Sequence, residues 1–280
     1  MVGKNTNRLP WRIEAFREYL AYETLQPTAA VLSIFEGETF NVRNPRIIEM
    51  QELLERRTGK TAWIPNRSGG EDIAWNLEGD VYRNKGRVLT SMLILFPKEF
   101  KDGNLVLTEF GRALARGLIG KEAFYDFILT RFKYPHPAWK DNWAAWTAAG
   151  RQLHPFIYIL QVMRELYAKS PAEACLTTEE VAEFLHADPD HKKVRHWAEK
   201  IIQSRREKSK AETPRTDDVH RKISDILGFL CLTPYCYFKG NSVYLNLLTR
   251  HAQERTFFWG SRIKQNRLME LDDLFRSIGD

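Results

Sequence analysis

Long apolar stretches are scarce in this chain: runs such as 93–96 and 156–160 fall far short of the roughly 18 residues that a membrane-crossing helix needs. The amino terminus, MVGKNTNRLPWR, carries basic residues with no apolar segment behind them, so it does not read as a secretory signal, and a cytoplasmic protein without a membrane partner is expected. Cysteine is also sparse. Cys175, Cys231 and Cys236 are odd in number and lie in or beside apolar runs, which suits reduced thiols and not a disulfide framework. Cys231 and Cys236 lack a second Cys/His pair at zinc-finger spacing, and the seven histidines form no H-E-x-x-H, so no metal site is expected. The sequence has neither a G-x-x-x-x-G-K-[ST] loop nor a G-x-S-x-G elbow, which removes the common nucleotide-hydrolysing and acyl-nucleophile readings. Ser68, before Gly69 and Gly70, is better explained as a helix cap than as a nucleophile.

What is present is a globular composition: 280 residues, 43% hydrophobic and 12% aromatic, enough for two domains with real cores. Lys plus Arg, 42, exceed Asp plus Glu, 36, by six. That excess is concentrated. Residues 191–215 hold Lys192, Lys193, Arg195, Lys200, Arg205, Arg206, Lys208, Lys210 and Arg215 against Glu199, Glu207 and Glu212, so the rest of the chain nets to zero. Two smaller acid-free clusters are Lys4, Arg8 and Arg12, and Arg83, Lys85 and Arg87. Basic clusters attract phosphate through counterion release, which makes nucleic acid the first partner to consider; a solvated helix face is the plain alternative for 191–215.

Along the chain, an arm at 1–9 precedes Pro10, which suits a first helical turn, and the spacing of Ile13, Phe16, Tyr19, Leu20 and Tyr22 predicts a helix over 11–25 that Pro27 stops. A second helix is expected over 45–58, capped by Asn44 and closed by Gly59, and Ser68 with Glu71 suggests a third. Residues 87–117 read as helix, hairpin and helix: Val88, Leu89, Met92 and Leu93, then a turn at Asp102-Gly103-Asn104, then Leu105 and Leu107 alternating with Val106 and Thr108, with Thr108 capping a helix that holds Phe110, Leu114 and Leu118. Three helices and a hairpin give the winged-helix order.

A shift of 138 residues sets Val88, Leu89, Met92, Phe100, Leu105, Leu107, Phe110 and Arg112 on Ile226, Leu227, Leu230, Phe238, Val243, Leu245, Leu248 and Arg250. This points to a second copy, whose earlier helices would span 154–169, 178–187 and a basic segment from 191. Between the copies, residues 122–146 are too aromatic for a tether and read as a connecting subdomain, with Phe124, Tyr125, Phe127, Trp143 and Trp146 in its core. The expected architecture is mainly α with small β-hairpins: winged-helix subdomains at 1–120 and 153–260, a helical linker at 121–152, and a terminal helix at 261–280. Asp80, Glu99 and Lys101 have the residue types of a D…E-x-K nuclease site, but a triplet beside a wing turn and after Pro97 suits solvent better than Mg²⁺ held between rigid strands.

The arm with Pro10-Trp11-Arg12, the tract opening Arg83-Asn84-Lys85-Gly86-Arg87-Val88-Leu89-Thr90, the segment LTEFGRAL at 107–114 and FKYPHPAW at 132–139 resemble, over nearly the whole chain, the DNA-recognition domain of type IIS restriction endonucleases of the FokI, AlwI and BpuJI kind. The resemblance implies a segment without a catalytic site or cofactor of its own. It would bind a short asymmetric duplex site through tandem helix-turn-helix modules, as a monomer, while a separate Mg²⁺-dependent nuclease domain beyond its carboxyl end cuts outside that site. Its first module and arm would be the sequence readers.

Arginine pairs with guanine and asparagine with adenine in the major groove, so an arginine-rich reading surface suggests a G·C-rich target. The expected base readers are Asn66, Arg67, Arg83, Asn84, Lys85 and Arg87, with arm contacts from Lys4, Asn5, Asn7, Arg8 and Arg12; Lys192, Lys193, Arg205, Arg206 and Lys208 are expected to touch phosphate or nothing. Three other readings remain: a stand-alone winged-helix regulator or replication initiator, a self-contained nuclease, and a module for protein contacts only.

Overall fold

The computed structural model describes residues 9–13, 17–39, 44–60, 87–97, 103–207 and 217–246. They are mostly helical, with one small antiparallel sheet of three strands. The chain divides into two compact units. Among the described residues, an amino-terminal unit takes 17–128 and 137–139, and a carboxy-terminal unit takes 9–13, 129–136 and 140–246. This differs from the expected division in two ways: the linker at 121–152 is not a body of its own, and the root of the arm belongs to the carboxy-terminal unit.

In the amino-terminal unit, α1 (Arg17–Leu20) and α2 (Tyr22–Ile34) replace the helix expected over 11–25. Residues 9–13 are not helical, because side chains distant in sequence take their backbone groups. Pro27 does not stop α2. A proline inside a helix costs about 3 kcal/mol, and here the turns beyond it bury Thr28, Ala29, Val31 and Leu32, which offsets that penalty. Helix α3 (Pro45–Thr58) matches its expected ends: the Asn44 side chain accepts from the Arg46 N–H, and Gly59 takes the left-handed conformation that terminates the helix.

Helix α4 (Arg87–Ser91) closes with the paired bonds of a Schellman turn, Ile94 N–H to the Leu89 carbonyl and Leu93 N–H to that of Thr90. Leu93 holds the left-handed position, φ 58°, where glycine is usual. Its side chain is fully buried, and the Thr108 hydroxyl donates to its carbonyl. Thr108 also caps α5 (Glu109–Ala115), as expected, but the helix stops before Leu118, which is 72% exposed and not part of the core. Helix α6 (Lys121–Arg131) contributes Phe124 and Phe127, which stack on Phe110.

In the carboxy-terminal unit, α7 (Lys140–Ala148) is followed by α8 (Pro155–Lys169), whose residues 155–163 are all buried. Strand β1 (Cys175–Thr177) leads into α9 (Thr178–Glu180) through a full capping box: Thr177 accepts from the Glu180 N–H while Glu180 accepts from the Thr177 N–H. A π-turn (Val181–Leu185) extends that helix. Then come α10 (Val194–Arg206), α11 (Asp217–Leu230), β2 (Cys236–Lys239) and β3 (Ser242–Leu245), with β3 central in the sheet.

The two units repeat one pairing. In the first, Thr39 bridges Asn104, and Leu107 bridges Leu95; in the second, β1 sets Thr177 on Ser242, and β2 sets Cys236 on Leu245. Adding 138 to Thr39 and Asn104 gives Thr177 and Ser242, so the shift that superposes the apolar positions superposes this first pairing as well; the second is offset, since Leu107 moves to Leu245 but Leu95 moves to Thr233, three residues before Cys236.

Candidate nucleic-acid interface

Much of the charge that makes this chain basic lies on α10. Val194, Ala198, Ile201 and Ile202 recur at helical spacing and are buried, which turns Arg195, His196, Glu199, Lys200, Gln203 and Arg206 outward. The preceding turn adds an exposed Lys192. Arg195 is 84% exposed and meets Glu165 at 3.4 Å; Glu199 pairs with Lys169. Such pairs at the surface are weak and easily exchanged for a phosphate. Lys193 is tied to Asp188, which Arg151 also holds at 3.0 Å, and together these cations keep the Asp188 carboxyl below its ordinary pKa.

Arg205 is different. Its five N–H donors go to the Glu180 carboxylate, at 2.6 and 2.9 Å, to the Glu173 carboxylate and carbonyl, and to the Cys175 carbonyl. Burial alone would lower its pKa, but the bonds to Glu180 and Glu173 carry it higher than that of a free guanidinium. Arg205 therefore fastens the end of α10 to β1 and α9, with its donors directed to protein acceptors.

In the amino-terminal unit, the segment LTEFGR is consumed by packing. Leu107 bridges Leu95; Thr108 caps α5; a Cβ on Gly111 would lie 2.2 Å from the Ile94 carbonyl oxygen; Arg112 grips both Glu36 oxygens, at 2.8 and 3.2 Å, while Glu36 also accepts from the Leu107 N–H. Of this motif only Glu109 remains exposed.

Arg12 is the arm residue that the structure places. Its N–H donates to the Tyr134 hydroxyl and its carbonyl accepts from the same hydroxyl, both at 2.6 Å. The guanidinium is 3.9 Å from Asp141 and remains partly exposed. Arg87 begins α4, but its side chain lies outside the described residues, as do Lys4, Asn5, Asn7, Arg8, Asn66, Arg67, Arg83, Asn84, Lys85 and Lys208. So do Asp80, Glu99 and Lys101. Arg221 and Lys222 on α11, outside the candidates read from the sequence, are both held by Asp218. Among the described residues no group of three His, Cys, Asp or Glu is placed to hold a metal ion, and no helix is long and apolar enough to cross a membrane.

These features define a class, a mainly helical domain with a cationic helix on its surface and a small sheet that it repeats in rudiment. A family model described as "Restriction endonuclease BpuJI - N terminal" matches residues 101–272, more than half of the chain, and the protein belongs to that family. No curated protein matches the chain. Among solved structures it is similar to the crystal structure of pyrene- and phenanthrene-modified DNA in complex with the BpuJ1 endonuclease binding domain: TM-score 0.64 and 16% identity, over 96% of this chain and 94% of that one. The type IIS resemblance read from the sequence is thus borne out at the level of family and fold.

Proposed function

We propose that this chain is the sequence-specific duplex-DNA recognition part of a type IIS restriction endonuclease. The observation that carries the reading is the match of residues 101–272 to the amino-terminal part of a restriction endonuclease. A fold shared with a domain solved on DNA supports it, as does a surface on which α10 keeps Arg195, Lys200 and Arg206 outward. Both units act as winged helices; the common pairing of Thr39 with Asn104 and of Thr177 with Ser242 favours this, because in each unit one extended segment is bridged on both sides.

The chain binds as a monomer to an asymmetric, G·C-rich site. Asn66, Arg67, Arg83, Asn84, Lys85 and Arg87 read base edges together with the arm residues Lys4, Asn5, Asn7, Arg8 and Arg12, and Lys192, Arg206 and Lys208 meet phosphate. Cutting belongs to a Mg²⁺-dependent nuclease domain elsewhere in the full-length enzyme, a reading that the "N terminal" description of the family supports. Selection of bound duplexes from a random library tests the proposal. Enrichment of one short non-palindromic G·C-rich sequence is expected; binding without any enrichment, or none at physiological salt, overturns it.

A further inference from the structure

The backbone at the root of the arm is held by three side chains distant in sequence. The Pro10 carbonyl accepts from Asn142 Nδ2 and from Trp146 Nε1, each at 2.8 Å. One residue on, the Trp11 ring is buried edge-on to Tyr158 and His186. The Arg12 N–H then donates to the Tyr134 hydroxyl, which in turn donates to the Arg12 carbonyl. The clamp is itself held rigidly: Tyr134 exchanges two backbone bonds with Leu153, its ring stacks on Trp146 at 5.2 Å, and the His136 N–H fixes the Asn142 amide by donating to its Oδ1. All three clamp side chains are buried, Asn142 to 1% exposure.

Burying Trp11 and Ile13 would suffice to tack a terminus to a core. Burying a polar group is costly unless it is hydrogen-bonded, and here the bonding capacity of these side chains goes to main-chain atoms of a non-helical segment. Such bonds fix the height, rotation and direction of a chain, which apolar contacts leave loose. We propose that Tyr134, Asn142 and Trp146 are positioning residues for DNA recognition, clamping residues 10–12 and so fixing the point to which the basic amino-terminal residues are joined. This rests on the reading of the arm as a DNA contact.

The test combines Tyr134→Phe, which deletes the hydroxyl and keeps the ring, with removal of residues 1–8, and measures affinity for the selected duplex and for an unrelated one. Asn142→Leu is carried in parallel, so that a folding failure of one variant leaves the other readable, and melting temperature is followed throughout. Removal of residues 1–8 is expected to weaken binding to the selected duplex tenfold or more. Tyr134→Phe and Asn142→Leu should each weaken it several-fold in the whole chain and leave it unchanged once residues 1–8 are gone and Arg12 is replaced by alanine. Loss of affinity that persists without residues 1–8 and the Arg12 side chain would mean a merely structural role and overturns the proposal. So does full affinity in both variants when the arm removal itself weakens binding. If arm removal has no effect, the arm reading fails and takes the proposal with it.

Discussion

Among the described glycines, Gly111 is the one a Cβ would crowd. It lets α5 press against the turn that follows α4, and the 2.2 Å that would separate an alanine Cβ from the Ile94 oxygen is a contact with backbone that no rotamer change relieves. The same turn carries Leu93 in a left-handed conformation, an arrangement that costs roughly 1 to 2 kcal/mol and is held by the Thr108 hydroxyl and two Schellman bonds. Thr108, Gly111 and Leu93 thus form one device, with the strain at Leu93 supported from α5. Gly111→Ala is expected to destabilise the amino-terminal unit by about 2 to 3 kcal/mol, in the range of overpacking and backbone displacement. Urea unfolding monitored by tryptophan fluorescence checks this; a variant within 0.5 kcal/mol or so of the parent would refute the packing argument. The motif was legible as a capped helix, because a Thr followed three residues later by Gly at the head of an apolar helix has a local mechanism. Its ties to the rest of the unit were not, since the partners Glu36 and Ile94 lie well away along the chain.

At the scale of elements, the carboxy-terminal unit is built around neutral histidines. Burial holds His136 and His154 at pKa values of about 3 and His191 at about 4. The His191 ring accepts from the His154 N–H at Nε2 and meets Gln161 at Nδ1, a pairing that needs the uncharged tautomer. His136 lies stacked on Phe132. An unfolded histidine titrates near 6.5, so below that pH the unfolded chain takes up protons that the folded unit refuses; stability is intact above about 6.5 and falls as pH drops toward 4. The slope is about 1.4 kcal/mol per pH unit for each histidine while all three remain neutral in the fold, so the effect is steep. Melting temperature is expected to fall sharply between pH 6 and 4.5, and His136→Phe to flatten that fall by about a third. A flat profile in the parent over this range would contradict the buried, neutral assignment.

Helices are legible in the sequence where both ends have chemistry, and poorly legible where tertiary bonds decide. Asn44 with Pro45 and Gly59 delimit α3 by local capping, and the apolar stripe of α10 fixes its inward face. The segment 9–13 has helical apolar spacing, yet Tyr134, Asn142 and Trp146, between 122 and 136 residues away, hold it out of any helix. Pro27 fails as a stop signal for a related reason: the burial of Thr28 to Leu32 that overrides it depends on neighbours that a local pattern does not contain.

For the whole molecule, the informative quantity is how binding responds to salt. The net excess of six positive charges resides in 191–215, but charge alone does not say which side chains can meet a polyanion. The basic run looks uniform in sequence because the acids that claim Arg205, Glu173 and Glu180, lie 32 and 25 residues before it. Each phosphate contact contributes about −0.9 to the slope of log K against log salt on B-form DNA. If Lys192 and Arg206 meet phosphate as proposed, Lys192→Ala and Arg206→Ala should each reduce that slope by roughly one, and weaken selected and unrelated duplexes alike. Arg205→Gln should do the reverse: it leaves two partly buried carboxylates without their cation, so the melting temperature falls while the salt slope measured on the folded protein stays that of the parent. Salt titrations of the three variants by fluorescence anisotropy separate these outcomes. A reduced slope for Arg205→Gln together with parental slopes for Lys192→Ala and Arg206→Ala would reverse the assignment, placing the polyanion on the other side of α10.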